Sequence, residues 1–200
     1  MAKKEFTGVN KTLPECRLAY PAVFEAKYND LKQKDEWSVT MLFDKTKTDL
    51  AELKQAMVQA ARNEFGPDVD LKSLDMKRIQ DGDKPTAKGT ERPEFCQGMW
   101  VVKAATRLKQ PGVVDSQLNK ILDPTEIYSG VYAEVNVTVK AYSAPSANGV
   151  TLYLNHVCKR KDGEPLSGGP AATDVFEAMD VSSSDVPAAE VTEDMGDMFG

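Results

Sequence analysis

The polar and apolar residues of this chain alternate with a period of two over several stretches, the signature of strands with one face in a core. The longest stretch is 128–142, YSGVYAEVNVTVKAY. There Val131, Ala133, Val135, Val137, Val139 and Ala141 line one face, and Tyr132, Glu134, Asn136, Thr138, Lys140 and Tyr142 line the other. After a turn APSANG (144–149), VTLYLNHVC (150–158) continues the pattern, with Val150, Leu152 and Leu154 on the core face and Thr151, Tyr153 and Asn155 on the outer one. In EWSVTMLF (36–43), Trp37, Val39, Met41 and Phe43 point one way and Ser38 and Thr40 the other. Residues 99–106, MWVVKAAT, and 17–25, RLAYPAVFE, complete the set, the latter with Pro21, which has no N–H for a ladder and so demands an edge or a bulge. Trp37, Trp100, Phe43 and Phe65 lie among aliphatics and are expected in the core.

One segment has the helical period instead. Over 49–65, Leu50, Leu53, Met57, Ala61 and Phe65 form a stripe. Thr48 is the expected N-cap, Asp49 and Glu52 suit the positive end of the helix, and Gly66-Pro67 stops it. Residues 67–98 are polar and rich in turns, an excursion long enough to be functional. Five strands with one helix between them predict a mainly β domain, a small barrel or a strongly bent sheet.

Charge divides the chain in two. All 25 Lys and Arg lie in residues 1–161 against 21 acids, a net of +4, whereas 162–200 carries ten acids and no base, a net of −10. The end of the chain is also rich in Gly, Pro, Ala and Ser without a sustained period. It cannot bury enough surface to offset the entropy of ordering. The expected organisation is therefore a folded domain over 1–169 and a disordered acidic tail over 170–200. Its last residues, EDMGDMFG, set Met195, Met198 and Phe199 among acids. This is either a solubilising tail or a docking peptide whose apolar tip enters a partner's pocket.

The remaining composition excludes several classes. No apolar run approaches the roughly 18 residues needed to span a bilayer, and MAKKEF has no apolar run behind its lysines, so no signal peptide is expected. Three cysteines (Cys16, Cys96, Cys158) cannot all pair, which favours a reducing cytoplasmic compartment. A single His argues against His-based catalysis. Cys16, Cys96, His156 and Cys158 have the wrong spacing for a zinc finger, and buried thiols are the expected reading. Asp81, Asp83 and Glu94 would be the carboxylates of a Mg²⁺-dependent nuclease, but Asp-Gly-Asp is equally an exposed turn. No cofactor is expected.

Two outer faces carry candidate binding chemistry. Lys103 and Arg107 share the face of their strand opposite Trp100, and Lys109 follows, an arrangement suited to a phosphate backbone. On the 128–158 hairpin, Tyr132, Tyr142 and Tyr153 accompany Lys140. Such rings either stack on bases, each worth about 1–3 kcal/mol without regard to sequence, or serve as ordinary cross-strand packing.

CRLAYPAVFEAK (16–27), DGDKP (81–85), QPGVVD (110–115), YSGVYAEVNVTVKAY (128–142) and KDGEPLSGG (161–169), in that order, resemble a family of phage and prophage single-stranded DNA-binding proteins. The resemblance implies a five-stranded barrel of the oligonucleotide/oligosaccharide-binding (OB) type that binds single strands without sequence preference. It implies no enzymatic activity and a host-cell cytoplasmic setting if phage-encoded. It favours stacking for Tyr132, Tyr142 and Tyr153, and leaves Tyr20 and Phe24 either stacking or closing the barrel. It further implies that Asp194, Asp197 and Phe199 contact replication and recombination proteins, although here Gly200 follows the ring. A homodimer is compatible with such folds. The alternatives are the Mg²⁺-dependent enzyme above and a phage adaptor or structural protein that binds protein partners.

Overall fold

The computed structural model describes residues 7–30, 33–145 and 147–166. Its strands are β1 (Val9–Asn29), β2 (Lys34–Asp44), β3 (Ile79–Asp81), β4 (Met99–Thr106), β5 (Gly112–Val114), β6 (Tyr132–Ala144) and β7 (Ala147–Lys161), with one α-helix, α1 (Ala51–Phe65). They form one sheet in the order β3-β4-β2-β1-β6-β7-β5, antiparallel throughout except for β5 against β7. The five long strands are those the alternation predicts. β3 and β5 have three residues each, too few to display a period. The result is a mainly β, OB-like architecture with one helix.

The ladder does not close into a ring, yet the segment before β3 reaches back to β7. Asp75, just before β3, donates its N–H to the Asn148 carbonyl at 2.8 Å and accepts from Val150 N at 3.1 Å, a single bridge onto β7. Inside the curl lies one core: Leu13 and Leu18 of β1, Val39, Met41 and Phe43 of β2, Val102 of β4, Val135, Val137 and Val139 of β6, and Leu152 and Leu154 of β7, with Leu53, Met57 and Ala61 of α1 against them. Each strand contributes alternate residues, so a one-residue slip in any of them would turn apolar side chains to solvent.

Local differences from the sequence pattern have clear causes. Pro21 falls at a break in the β1–β2 register between Ala19 and Ala22, as its missing N–H requires. Thr48 is not the helix cap. Leu50 occupies that position, and the Asp49 carboxylate accepts from Ala51 N at 2.9 Å, satisfying a free donor two residues on. β6 begins at Tyr132 rather than 128 because Gly130, with φ +126°, breaks the extended backbone. Trp37, Trp100 and Phe65 are half-buried, and Phe43 is the aromatic of that group which is fully enclosed. Among the described residues no helix is long and apolar enough to cross a membrane. The acidic tail, with Asp194, Asp197 and Phe199, lies outside the described residues.

Candidate nucleic-acid interface

The outer surface of β1, β2 and β4 is floored by small side chains. Register places Ala19, Thr40 and Lys103 in one row across the three strands, and Ala22, Ser38 and Ala105 in the next. One end of this surface is covered by a second apolar cluster of Ala19, Leu42, Cys96 and Val101, on which Phe95 and Leu166 pack. The rest is open. At its margin stands Tyr20, 58% exposed. The bulge at Pro21 throws this residue into the left-handed region, with φ +49°. Its N–H is donated to Ser129 Oγ at 3.0 Å, and its ring tilts 57° against Phe95 at 6.0 Å between centroids. A non-glycine residue held there costs about 1–3 kcal/mol and persists only where its surroundings over-determine it. With strands about 4.8 Å apart, the rows place Ala19, the residue before Tyr20, roughly 10 Å from Lys103.

Lys103 lies on this face, opposite Thr40, and Arg107 and Lys109 follow in the bend after β4. All three are exposed. Lys103 Nζ lies 3.7 Å from the carboxylate of buried Glu36, which also accepts from Asn29 Nδ2 at 2.6 Å. Among the described residues the side chains of Arg107 and Lys109 have neither an ion pair nor a hydrogen bond. That distinguishes them from Lys45, Lys159, Arg160 and Lys161, each of which meets a carboxylate.

The second predicted group, Tyr132, Lys140, Tyr142 and Tyr153, occupies the outer face of β6 and β7, with β1 and β2 between it and β4 in the sheet. All four are half-buried, neither sealed nor free-standing. Tyr132 has Lys161 Nζ at 4.6 Å and Arg17 Cζ at 5.8 Å from its ring centre. Tyr142 donates its hydroxyl to Asp75 at 3.1 Å and accepts from Arg78 at 3.4 Å. Burial, reinforced by Asp75, raises its pKa. Lys140 is opposite Thr151, and Tyr153 opposite Thr138. Between them Asn136 donates to Asn10 and Thr12, and Asn155 donates to Asn136 and Thr138, each at 2.9 Å. This is a pre-ordered polar strip running across three strands.

The alternative chemistries are not assembled. Asp81 and Asp83 both grip the Lys45 ammonium, and Asp83 also accepts from Gly98 N at 2.6 Å. A lysine thus fills the place a divalent cation would take. Cys16 is buried in the core and donates to the Ala133 carbonyl, and burial pushes its thiol pKa up. Cys96 lies on the opposite face of the sheet, and His156 is exposed. Among the described residues no three His, Cys, Asp or Glu side chains are placed to share a metal.

The clamp on Lys45 makes a prediction of its own. The lysine's hydrogen bond is the largest cause holding both aspartates below the ordinary carboxyl value of 3.8. A depressed acid stabilises the fold above its unfolded pKa, and that contribution disappears as pH falls through the lowered folded values. Lys45→Met should therefore lower the urea midpoint at neutral pH. The difference from wild type should fade as pH drops below 3.8. A difference that stays constant down to acid pH would count against the clamp.

A curled, unclosed β-sheet of OB type, with one helix, exposed cations at Lys103, Arg107 and Lys109 and a strained, exposed aromatic at Tyr20, defines the class of architecture to which this molecule belongs: a β-barrel-like fold. Residues 10–186 match the family described as Enterobacter phage Enc34, ssDNA-binding protein, and the chain belongs to that family. No curated protein matches it in sequence. Among solved structures, the single-stranded DNA-binding protein of bacteriophage Enc34 in complex with ssDNA is similar at 22% identity, with 83% of this chain and 97% of that one covered and a TM-score of 0.64. A second structure of the bacteriophage Enc34 single-stranded DNA-binding protein gives 24% identity over 86% and 95%, at a TM-score of 0.60. The single-stranded DNA-binding protein gp2.5 of bacteriophage T7 gives 16% identity over 90% and 100%, at 0.55. At these identities the likeness is one of fold. The family and these neighbours are single-stranded DNA-binding proteins.

Proposed function

We propose that the protein binds single-stranded DNA without sequence preference and holds it for phage replication and recombination. The observation that carries this reading is the pair Arg107 and Lys109, exposed and unpartnered among the described residues beside Lys103, in a chain of an ssDNA-binding family. An uncompensated cation is repelled by its like neighbours and has no internal partner to release. It is spent best on a polyanion. Lys103, Arg107 and Lys109 follow the phosphates, and Tyr20 offers a ring beside a floor low enough to admit bases. Tyr132, Tyr142 and Tyr153, with Lys140, provide a second flank on the far side of β1. Titrating oligo(dT) against the intrinsic tyrosine and tryptophan fluorescence tests this. Quenching that weakens as salt rises is the expected result. An unchanged signal together with no retention of the oligonucleotide would favour a protein-binding adaptor.

The tail completes the proposal. Asp194, Asp197 and Phe199 recruit replication and recombination proteins, and the tail over 170–200, with eight acids and no base, competes with DNA for the cations. Support comes from the end of the described chain. Leu166 donates its N–H to Ser129 at 2.9 Å and packs over Ala19, Leu42 and Val101, on the outer face that also bears Thr40 and Lys103. A polyanion rooted there is tethered at high effective concentration. A chain ending at residue 170 should bind oligo(dT) about tenfold more tightly at low salt, and the gain should shrink as salt screens both competitors. Equal affinities across a salt titration, read by anisotropy, would remove the competition.

A further inference from the structure

Three aliphatic side chains among the described residues are almost fully exposed: Leu108 at 84%, Leu118 at 75% and Leu122 at 73%. Leu118 and Leu122 lie on a loop of mixed charge, with Asp115, Asp123 and Glu126 beside Lys120 and with Glu126 paired to Lys159. Leu108 lies between Arg107 and Lys109. Its segment is fastened at both ends. Leu108 N donates to the hydroxyl of buried Thr106 at 3.3 Å. Gln110 Nε2 donates to the Phe24 carbonyl of β1 at 3.1 Å, and the next residue, Pro111, is buried. Only the tip, Arg-Leu-Lys, projects. Residues 107–109 form a bend just past the end of β4, so the leucine stands at a turn of the chain with a cation on either side of it, each free to meet a phosphate.

We infer that Leu108 is an apolar wedge that enters the base stack of the bound strand. This rests on the reading of the protein as one that binds single-stranded DNA. The cations fix two phosphates, and the fastened tip delivers the isobutyl group to the base side. There it takes the place of a neighbouring base and leaves the step unstacked. The partner is a stacked run of nucleobases, and the consequence is that the protein melts weak local structure rather than merely coating an open strand. Apolar side chains that part base steps are an established device in architectural DNA-binding proteins.

The test uses the full chain with Leu108→Ala and Leu108→Met, and two probes, oligo(dT), which stacks weakly, and oligo(dA) carrying 2-aminopurine between adenines. The wild type is expected to raise the 2-aminopurine fluorescence as steps open. Leu→Ala removes three carbons from the apolar contact, so L108A should bind oligo(dA) about tenfold more weakly and leave the fluorophore stacked. Its affinity for oligo(dT) should stay within about twofold of wild type. L108M should restore both signals. Because the side chain is solvent-facing, all three proteins should share one thermal midpoint. Full fluorescence enhancement by L108A, or equal losses on oligo(dA) and oligo(dT), would overturn the wedge. Failure of the wild type to bind oligo(dT) at all would instead overturn the functional reading beneath it.

Discussion

Replacing Lys103 by Gln and Arg107 and Lys109 by Ala together is expected to weaken oligo(dT) binding about 100-fold near 0.1 M monovalent salt and to flatten the salt dependence by about two units of slope. Each cation that neutralises a phosphate on a single strand adds about 0.7 to the slope of log K against log salt, so three contacts add about 2, and extrapolation to 1 M removes the difference. The three will not contribute equally. Arg107 and Lys109 have no acid to leave among the described residues. Lys103 must exchange the Glu36 carboxylate at 3.7 Å for a phosphate, and its net gain is smaller for that reason. Glutamine is chosen at 103 because an alanine there would strip a partner from a carboxylate only 3% exposed and confuse stability with binding. Affinities measured from low salt to about 1 M decide the matter. Convergence of mutant and wild type at the high-salt end supports phosphate contacts, and parallel lines would place these residues outside the interface.

Much of this was legible in the residues, for identifiable reasons. Strands buried on one face must alternate, so β6 and β7 announce themselves, and with them the outward direction of Tyr132, Lys140, Tyr142 and Tyr153. Lys103 and Arg107 were placed opposite Trp100 by the same parity. One motif that carries the family resemblance marks a point where the backbone runs close to itself. In DGDKP, Gly82 donates to Met99 at 2.9 Å, and a Cβ there would lie 1.9 Å from the Cys96 carbonyl. What could not be read is whatever depends on contacts distant in sequence. The exposure of Tyr20 follows from a bulge whose only local sign is Pro21. Whether Tyr142 is open depends on Asp75, 67 residues away. Lys103, Arg107 and Lys109 look alike as a string. Only the fold shows that Glu36 reaches the first and that no described residue reaches the other two. The two short strands and the single bridge through Asp75 are likewise products of the sheet's curl.

The largest effect on stability is expected from Gly130→Ala. At φ +126° an L side chain is strained, and the new Cβ would lie 2.2 Å from the Glu164 carbonyl oxygen and 3.0 Å from Pro165 Cα. The segment it presses on has no room to yield. Arg17 Nε donates to the Gly130 carbonyl at 3.2 Å while its other arm holds the Glu164 carbonyl. A Cβ at Gly163 would in turn meet the Gly130 oxygen at 2.2 Å and the Tyr132 ring at 2.8 Å. Strain and overpacking together should cost about 3 kcal/mol, a fall in thermal midpoint of about 6–12 °C for a domain of this size. Gly89→Ala separates the two causes, since Gly89 also has a positive φ, +79°, but nothing lies within 4 Å of its would-be Cβ. Its cost should be the backbone component alone, about 1 kcal/mol. The consequence for the interface follows from Ser129, which is bonded to both Tyr20 and Leu166. Displacing the 162–166 segment moves the support of the strained tyrosine, so Gly130→Ala should weaken oligo(dT) binding at temperatures where the protein is still folded, and Gly89→Ala should not. Equal midpoints for the two variants in thermal denaturation would show that the packing of 128–131 against 162–166 is far softer than the geometry requires.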